Sequence, residues 1–197
     1  MTPSEALAQV CSHLRLGDHI AAAATLTDEY PFVALKKERR SANKRISTGV
    51  FLRDGFIDRY SGDRLIFPGA LRLVALKIPE AFPYHLNWKM SETHLAVWQL
   101  SATIDHAKPI ARGGDDKDVN MLTTSMLRNS AKSNWSLRDL GWAVRPPGDC
   151  NEWDGLMSWF RAEVDADPSL LKQPFVREWS LAAKNPVKAR PFEPEVD

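Results

Sequence analysis

The chain of 197 residues is 44% hydrophobic and 26% charged, with a formal net charge of +1. This length and composition exclude wholesale disorder and predict one folded domain with extensions. The only two cysteines, Cys11 and Cys150, exclude a disulfide scaffold and a four-cysteine zinc site. We also find no signal-peptide pattern and no apolar run of about 18 residues. Together these features predict a cytoplasmic protein with no membrane partner.

Two short helices are predicted at the N-terminus. Residues 2–5 read Thr-Pro-Ser-Glu, a helix start signal, and Gly17 can end the first helix. Asp18 is the predicted cap of a second helix that runs to about Leu26. We interpret the pair as a structural helical hairpin, with the thiol of Cys11 buried on its apolar stripe.

Positive charge is concentrated after this hairpin. Residues 36–64 carry nine basic and four acidic side chains, and most of the excess lies in the run 36–45. This run is either a solvated, charged helix face or a phosphate-binding patch. The candidate nucleic-acid contacts in it are Lys36, Lys37, Arg39, Arg40, Lys44 and Arg45.

The middle of the chain has the order strand, ordered loop, strand, helix. Hydrophobic patterning and turn residues define these elements and two earlier ones. The predictions are extended pieces over 49–62, a helix over 70–78, a strand over 95–104, a turn-rich loop over 108–118, a strand over 119–124 and a helix over 125–134.

The last third predicts two helices, over 153–164 and from Pro174 to about Ala183. Five of the seven tryptophans lie between positions 135 and 179, and we interpret them as packing these helices onto the core. The predicted segments are a helical extension over 1–45, a core over 46–140, a C-terminal helical extension over 141–184 and an irregular tail over 185–197.

Three polar positions stand out in the middle segment. Asp105-His106 closes the first predicted strand, and Asn120 and Asn129 follow, the latter on the helix behind the sheet. Each alone is weak evidence of function. In combination they matter, because a strand–loop–strand–helix unit of this length brings its first strand end and its helix together.

The stretch from Ile104 to Lys132, with Gly113-Gly114 in its loop, resembles the HNH endonuclease motif. It is similar to the variant with asparagine in the last position. Residues 51–56 (Phe-Leu-Arg-Asp-Gly-Phe) resemble the lead-in of many HNH proteins. The resemblance covers about residues 46–140 and implies an α+β fold, a ββα-metal core with the N-terminal hairpin and the C-terminal helices packed around it.

The resemblance also implies roles for individual residues. His106 would be the general base that activates water, and Asp105 and Asn129 would bind Mg²⁺ or Mn²⁺. Asn120 would hold His106 in place by hydrogen bonds across the loop. Lys132, one helical turn after Asn129, either reaches the same phosphate or is a solvated lysine.

The chain departs from the family at the structural zinc. The positions of the usual cysteine pairs are taken by Asp58, Ser61, Ser125 and Arg128, which cannot hold zinc as a set. We therefore expect no structural zinc, and packing that includes an Asp58–Arg128 ion pair in its place. Arg128 is also a candidate nucleic-acid contact.

Three functions follow from these features. The first is a metal-dependent endonuclease that hydrolyses phosphodiester bonds in DNA, with RNA not excluded as a substrate. The second is a catalytically silent nucleic-acid-binding module on the same scaffold. The third is an assembly protein whose helical ends bind a protein partner. A homodimer is the expectation if both DNA strands are cut.

Overall fold

The computed structural model of the protein describes residues 1–34 and 43–193. The chain divides into two compact units, Met1–Lys36 and Lys37–Asp197. In the described residues, nine α-helices accompany one two-stranded antiparallel sheet. This mixture of helix and sheet agrees with the predicted α+β class. None of the helices in the two described ranges is long and apolar enough to cross a membrane.

The first unit is the predicted helical hairpin. Helix α1 (Pro3–Arg15) begins with a capping box, in which the side chains of Thr2 and Glu5 each accept a hydrogen bond from the other residue's backbone N–H. Helix α2 (His19–Glu29) is capped by the carboxylate of Asp18. Both helix starts were predictable because the capping groups are local in sequence.

The predicted burial of Cys11 is wrong, because its side chain is exposed. Ala6 and Val10 of α1 and Ala22 of α2 are the buried positions of the hairpin. Cys11 follows Val10 and therefore points about 100° away around the helix. Two short helices bury only one narrow stripe, and Cys11 lies outside it.

The first described helix of the second unit is α3 (Lys44–Arg53). It covers the start of the segment 49–62, where extended pieces were predicted. The side chain of Asn43 caps this helix, and its middle is buried. Burial against the core outweighs the weak helix propensity of its glycine and β-branched residues. Gly55 and Phe56 have φ angles of 62° and 50° and turn the chain. Beyond them, the extended prediction holds only at Ile57, which forms an isolated antiparallel bridge with Arg64.

Helix α4 (Pro68–Lys77) confirms the helix predicted over 70–78. The strand predicted over 95–104 is wrong in its first half, where α5 (Leu95–Leu100) forms instead. His94 caps α5 through its ring nitrogen, a start signal that the apolar run conceals. Only the end of the predicted segment is extended.

The sheet and the helix behind it follow the predicted order. Strand β1 (Ala102–His106) pairs antiparallel with β2 (Met121–Ser125), and α6 (Met126–Lys132) follows at once, capped by Ser125. In the register, Asp105 lies opposite Leu122 and His106 opposite Met121. The end of β1 and the start of β2 therefore lie side by side, and the loop between them closes over that edge.

Three more helices complete the unit: α7 (Leu137–Leu140), α8 (Met157–Ala166) and α9 (Pro174–Lys184). The indole of Trp179 packs edge-on against Phe67, with 5.2 Å between the ring centres. Trp153, Trp159 and Trp179 pack against the core as predicted. The prediction is wrong for Trp135, which is 53% exposed. The core residues include Phe51, Phe56, Leu65, Phe67, Leu73, Phe160, Val164 and Val176.

Candidate active site at the end of the sheet

The loop between β1 and β2 is tied together by the side chain of Asn120. Its Oδ1 accepts a hydrogen bond from the backbone N–H of Lys108 at 3.0 Å, and its Nδ2 donates to the carbonyls of Lys108 and Asp115 at 3.0 and 2.8 Å. Asn120 is buried, with 4% of its surface exposed. A buried amide with every hydrogen bond satisfied fixes the loop that leaves His106.

Glycine is required at two positions of this loop. Gly113 has a φ angle of 85°, which disfavours any side chain. At Gly114, a Cβ atom would lie 2.0 Å from the carbonyl oxygen of Lys108 and 2.9 Å from Nδ2 of Asn120. The glycine pair therefore permits the close approach that the Asn120 hydrogen bonds need.

Asp105 is buried at the end of β1, and two donors converge on one of its oxygens. The hydroxyl of Tyr60 donates to Oδ2 at 2.5 Å, and the ammonium of Lys132 lies 2.9 Å from the same atom. Oδ1 accepts no hydrogen bond from any residue in 1–34 or 43–193. The carboxylate is thus fixed by its Oδ2, and Oδ1 remains available as an acceptor.

Lys132 is neither solvated nor turned outward. Its side chain is 0% exposed, and its Nζ also donates to the carbonyl oxygen of His106 at 2.8 Å. The ammonium therefore joins α6 to the end of β1 and compensates the charge of Asp105. Burial of this ion pair is tolerable because each partner has further hydrogen bonds.

His106 lies next to Asp105 and contacts a loop aspartate. Its Nε2 is 2.8 Å from Oδ1 of Asp116, and its side chain is 7% exposed. When the ring is neutral, the carboxylate accepts from Nε2–H, and the lone pair is then on Nδ1. The contact with Asp116 therefore favours the neutral tautomer with its lone pair on Nδ1.

Asn129 is joined to β1 from the helix side. Its Nδ2 donates to the carbonyl oxygen of Ile104 at 2.9 Å. This orients the amide beside the strand residue that precedes Asp105. Its Oδ1 accepts no hydrogen bond from the described part of the chain, so the amide oxygen is available to a ligand.

Asp58, Ser61, Ser125 and Arg128, which the resemblance aligns with the zinc-binding cysteines of HNH proteins, do come together. Asp58 is buried, and the hydrogen bonds to its carboxylate come from both sides of the junction between the 58–61 turn and β2. The donors are the backbone N–H groups of Tyr60, Ser61 and Ser125 and the hydroxyl of Thr124.

The Asp58–Arg128 ion pair is also present, with 3.4 Å between Nε of Arg128 and Oδ2 of Asp58. The side chain of Arg128 is 38% exposed and also contacts Asp63. Hydrogen bonds to one buried carboxylate therefore hold this junction, with Arg128 as an outer partner.

The predicted basic run is described only in part. Lys36, Lys37, Arg39 and Arg40 lie outside the described residues. Lys44 forms an ion pair with Glu178 at 2.6 Å, and Nε of Arg45 donates to the carbonyl oxygen of Asn185 at 2.7 Å. Both cations therefore also have structural partners within their own unit.

Sequence reasoning missed Tyr60 and Asp116. Tyr60 is 45 residues before Asp105 and bears no motif, so only the fold brings its hydroxyl to that carboxylate. Asp116 is one of several loop aspartates, and no pattern distinguishes it from its neighbours. A burial signal was also absent for Lys132, for which the sequence left phosphate contact and a solvated lysine as the two alternatives.

The oxygen atoms available at this site fit a hydrated Mg²⁺ or Mn²⁺. Asp105 and Asn129 each offer one oxygen, and Mg²⁺ usually keeps several waters and uses one or two protein ligands together with phosphate oxygens. Within residues 1–34 and 43–193, no group of three or more His, Cys, Asp or Glu side chains could hold a metal ion. The described residues therefore offer at most these two oxygen ligands, and no cage of His, Cys, Asp or Glu side chains.

Comparison with protein-family models, with curated proteins and with solved structures finds no match. The resemblance to HNH endonucleases therefore depends on the residues of this chain, and the function that it implies is a proposal.

Proposed function

We propose that this protein is a metal-dependent endonuclease of the HNH type that hydrolyses phosphodiester bonds in DNA. The observation that carries the proposal is the grouping of His106 and Asp105 at the end of β1 with Asn129 on the adjoining helix. The proposed base then lies at one edge of a two-stranded sheet, together with two oxygens that accept no hydrogen bond from the described residues. This grouping supports hydrolysis because a nucleophile and a phosphate can be held together there.

His106 is the proposed general base. Its Nδ1 takes the proton from the attacking water, while Nε2 remains hydrogen-bonded to Asp116 and keeps the ring oriented. The loop carrying Asp116 is itself fixed through Asn120, which is hydrogen-bonded to the carbonyl of Asp115. Asn120 and Asp116 are thus positioning residues, and only His106 contacts the reacting water.

Asp105 and Asn129 are the proposed ligands of Mg²⁺ or Mn²⁺, which when bound supplies stabilisation of the negative charge that develops on the phosphate and on the leaving oxygen. Tyr60 and Lys132 act through Asp105, since both hold its Oδ2. We assign Lys132 this positioning role in preference to phosphate contact, because its ammonium is buried against Asp105 and the His106 carbonyl.

The test is parallel digestion of supercoiled plasmid, linear duplex, single-stranded DNA and RNA, with Mg²⁺ or Mn²⁺ and with chelator. Nicking or linearisation that needs the metal and is lost in His106→Ala supports the proposal. Cleavage of RNA in preference to DNA would reassign the substrate. No cleavage of any substrate with either metal would refute the endonuclease.

A catalytically silent nucleic-acid-binding module is the second candidate. It is favoured by the Lys132–Asp105 ion pair, in which the protein's own cation already compensates the carboxylate that would bind the metal. Binding of DNA without metal-dependent cleavage in the same assays would support this candidate.

A further inference from the structure

A cavity of about 400 Å³ lies beside the loop that follows His106. Lys108, Pro109 and Asn120 line it from the loop, and Leu137 and Arg138 line it from α7. Its volume falls within the range of about 300–1,000 Å³ that is typical of small-ligand sites. The cavity therefore shares its wall with the segment that positions the proposed base.

The lining combines cations with apolar side chains. Lys108, Arg112 and Arg138 contribute positive charge, and Asp139 is the one acidic residue that lines the cavity in the described ranges. Asp139 already accepts a hydrogen bond from Arg112 at 3.0 Å. The exposed guanidinium of Arg138 forms no ion pair or hydrogen bond with the described residues. A positive site with an unpartnered arginine suits a phosphate group.

The lining also includes apolar side chains. Pro109, Leu137 and Val144 lie there together with the ring of Phe192. Such a surface can pack against a sugar and a base without reading their edges. A ligand that carries both an anionic group and a flat, weakly polar body matches this combination of lining residues.

We propose that this cavity binds one nucleotide of the DNA substrate, adjacent to the phosphate that is cut. Arg138 and Arg112 bind its phosphate, and the apolar side chains of the lining pack against its nucleoside. The inference rests on the proposed function, since the cavity adjoins the catalytic loop through Lys108 and Asn120. A free nucleotide has the same chemistry and is distinguished by the experiment.

The first test compares Arg138→Ala with Arg161→Ala, which removes an equal charge from an exposed position of α8. Binding of a fluorescent single-stranded oligonucleotide is measured by anisotropy in chelator, over a series of salt concentrations. Arg138→Ala should weaken binding several-fold and reduce the slope of log K against log salt by about 0.7, the contribution of one phosphate on a single strand. Arg161→Ala should leave both unchanged.

The second test fills the cavity without changing charge. Val144→Phe should weaken oligonucleotide binding, with circular dichroism and melting confirming that the variant is folded. Thymidine 5′-monophosphate serves as the free-nucleotide probe, and we expect it to compete only at far higher concentration than the oligonucleotide. Competition at equal concentration would overturn the assignment to a DNA strand.

Three results distinguish a failure of this inference from a failure of the proposed function. Equal affinity and salt slope in Arg138→Ala and Arg161→Ala, with cleavage intact, would overturn the nucleotide site alone. Unchanged binding in Val144→Phe would do the same, because a phosphate contact outside the cavity would then suffice. Absence of both binding and cleavage in the unaltered protein would overturn the endonuclease and this site with it.

Discussion

The hydroxyl of Tyr60 donates a 2.5 Å hydrogen bond to Oδ2 of Asp105 inside the protein. Burial, and then the negative charge of Asp105, raise the pKa of Tyr60 well above its ordinary value. Tyr60 therefore keeps its proton over the whole working pH range and remains a donor. With Lys132 on the same oxygen, the direction of the other oxygen of Asp105 is set by the protein.

Tyr60→Phe should weaken the metal affinity of the proposed site and leave the maximal rate of cleavage comparatively unaffected. Loss of a hydrogen bond that orients a metal ligand typically costs about 10–100-fold in metal affinity. We expect the Mg²⁺ concentration for half-maximal cleavage to rise about 10-fold. Mn²⁺ binding, followed by electron paramagnetic resonance without DNA, should weaken in parallel.

Tyr84→Phe is the matched control for this substitution. Tyr84 packs on Arg72, and its hydroxyl makes no hydrogen bond within the described residues. Its removal should leave the metal titration unchanged. If Tyr60→Phe and Tyr84→Phe titrate alike in both assays, Tyr60 does not position Asp105 for a metal.

His106→Ala should reduce cleavage by at least about two orders of magnitude, the contribution of a positioned general base. DNA binding should persist, because the substitution removes no cationic side chain that is proposed to contact phosphate. Single-turnover cleavage and anisotropy of the same preparation measure the two properties. A variant that binds normally and cleaves near the wild-type rate would exclude His106 as the base.

The predictable parts of this fold are those whose signals are local. The capping box of Thr2 and Glu5 can be read from sequence because its two residues are three positions apart. The hydrogen bonds of Asn120 across the loop were expected only from the HNH resemblance. The first strand was predicted over 95–104, whereas β1 spans Ala102–His106. The apolar run from Leu95 is equally suited to a buried helix, and tertiary packing decides between the two. An apolar run of this kind can be assigned to a helix or a strand only from its tertiary contacts.

The polar cluster shows the same limit. Asp105, His106 and Asn129 were found from their spacing, whereas the burial of Lys132 depends on how closely α6 packs on β1. The distant partner Tyr60 arrives through the turn after Asp58, which no periodicity encodes. The grouping of polar residues at the end of β1 is thus easier to predict than the side chains that orient them.

Asp58→Ala should destabilise the protein by about 3 kcal/mol or more, because several buried donors lose their acceptor at once. Arg128→Ala should cost about 1 kcal/mol or less, since its ion pair is partly exposed. Urea unfolding of both variants measures the difference. Equal losses in the two would mean that the ion pair stabilises this junction more than the hydrogen bonds to Asp58 do.

Chelator should abolish cleavage and leave the melting temperature unchanged. The proposed catalytic ion is held by only two protein oxygens, while the junction around Asp58 is closed by hydrogen bonds. Calorimetry with and without chelator, combined with metal analysis of the purified protein, tests this. Stoichiometric zinc or a chelator-induced loss of folding would contradict the prediction that no structural zinc is needed.

The basic run over 36–45 is expected to contact the phosphates of DNA. If Lys36, Arg39 and Arg40 each neutralise one phosphate of duplex DNA, replacing all three by Ala should flatten the slope of log K against log salt by about 2.7. Affinity should fall similarly on unrelated sequences, because phosphate contacts carry no sequence information. Anisotropy titrations over a salt series, on two unrelated duplexes, measure both effects.

The double variant with Lys44→Ala and Arg45→Ala is the comparison for this triple variant, since these two residues of the run have partners in their own unit. Lys44 pairs with Glu178, and Arg45 donates to the carbonyl of Asn185. Their removal should change the salt slope less per residue and should lower the melting temperature more. If the triple variant keeps the wild-type slope, the run is a solvated face, and the phosphate contacts of the protein lie nearer the catalytic loop.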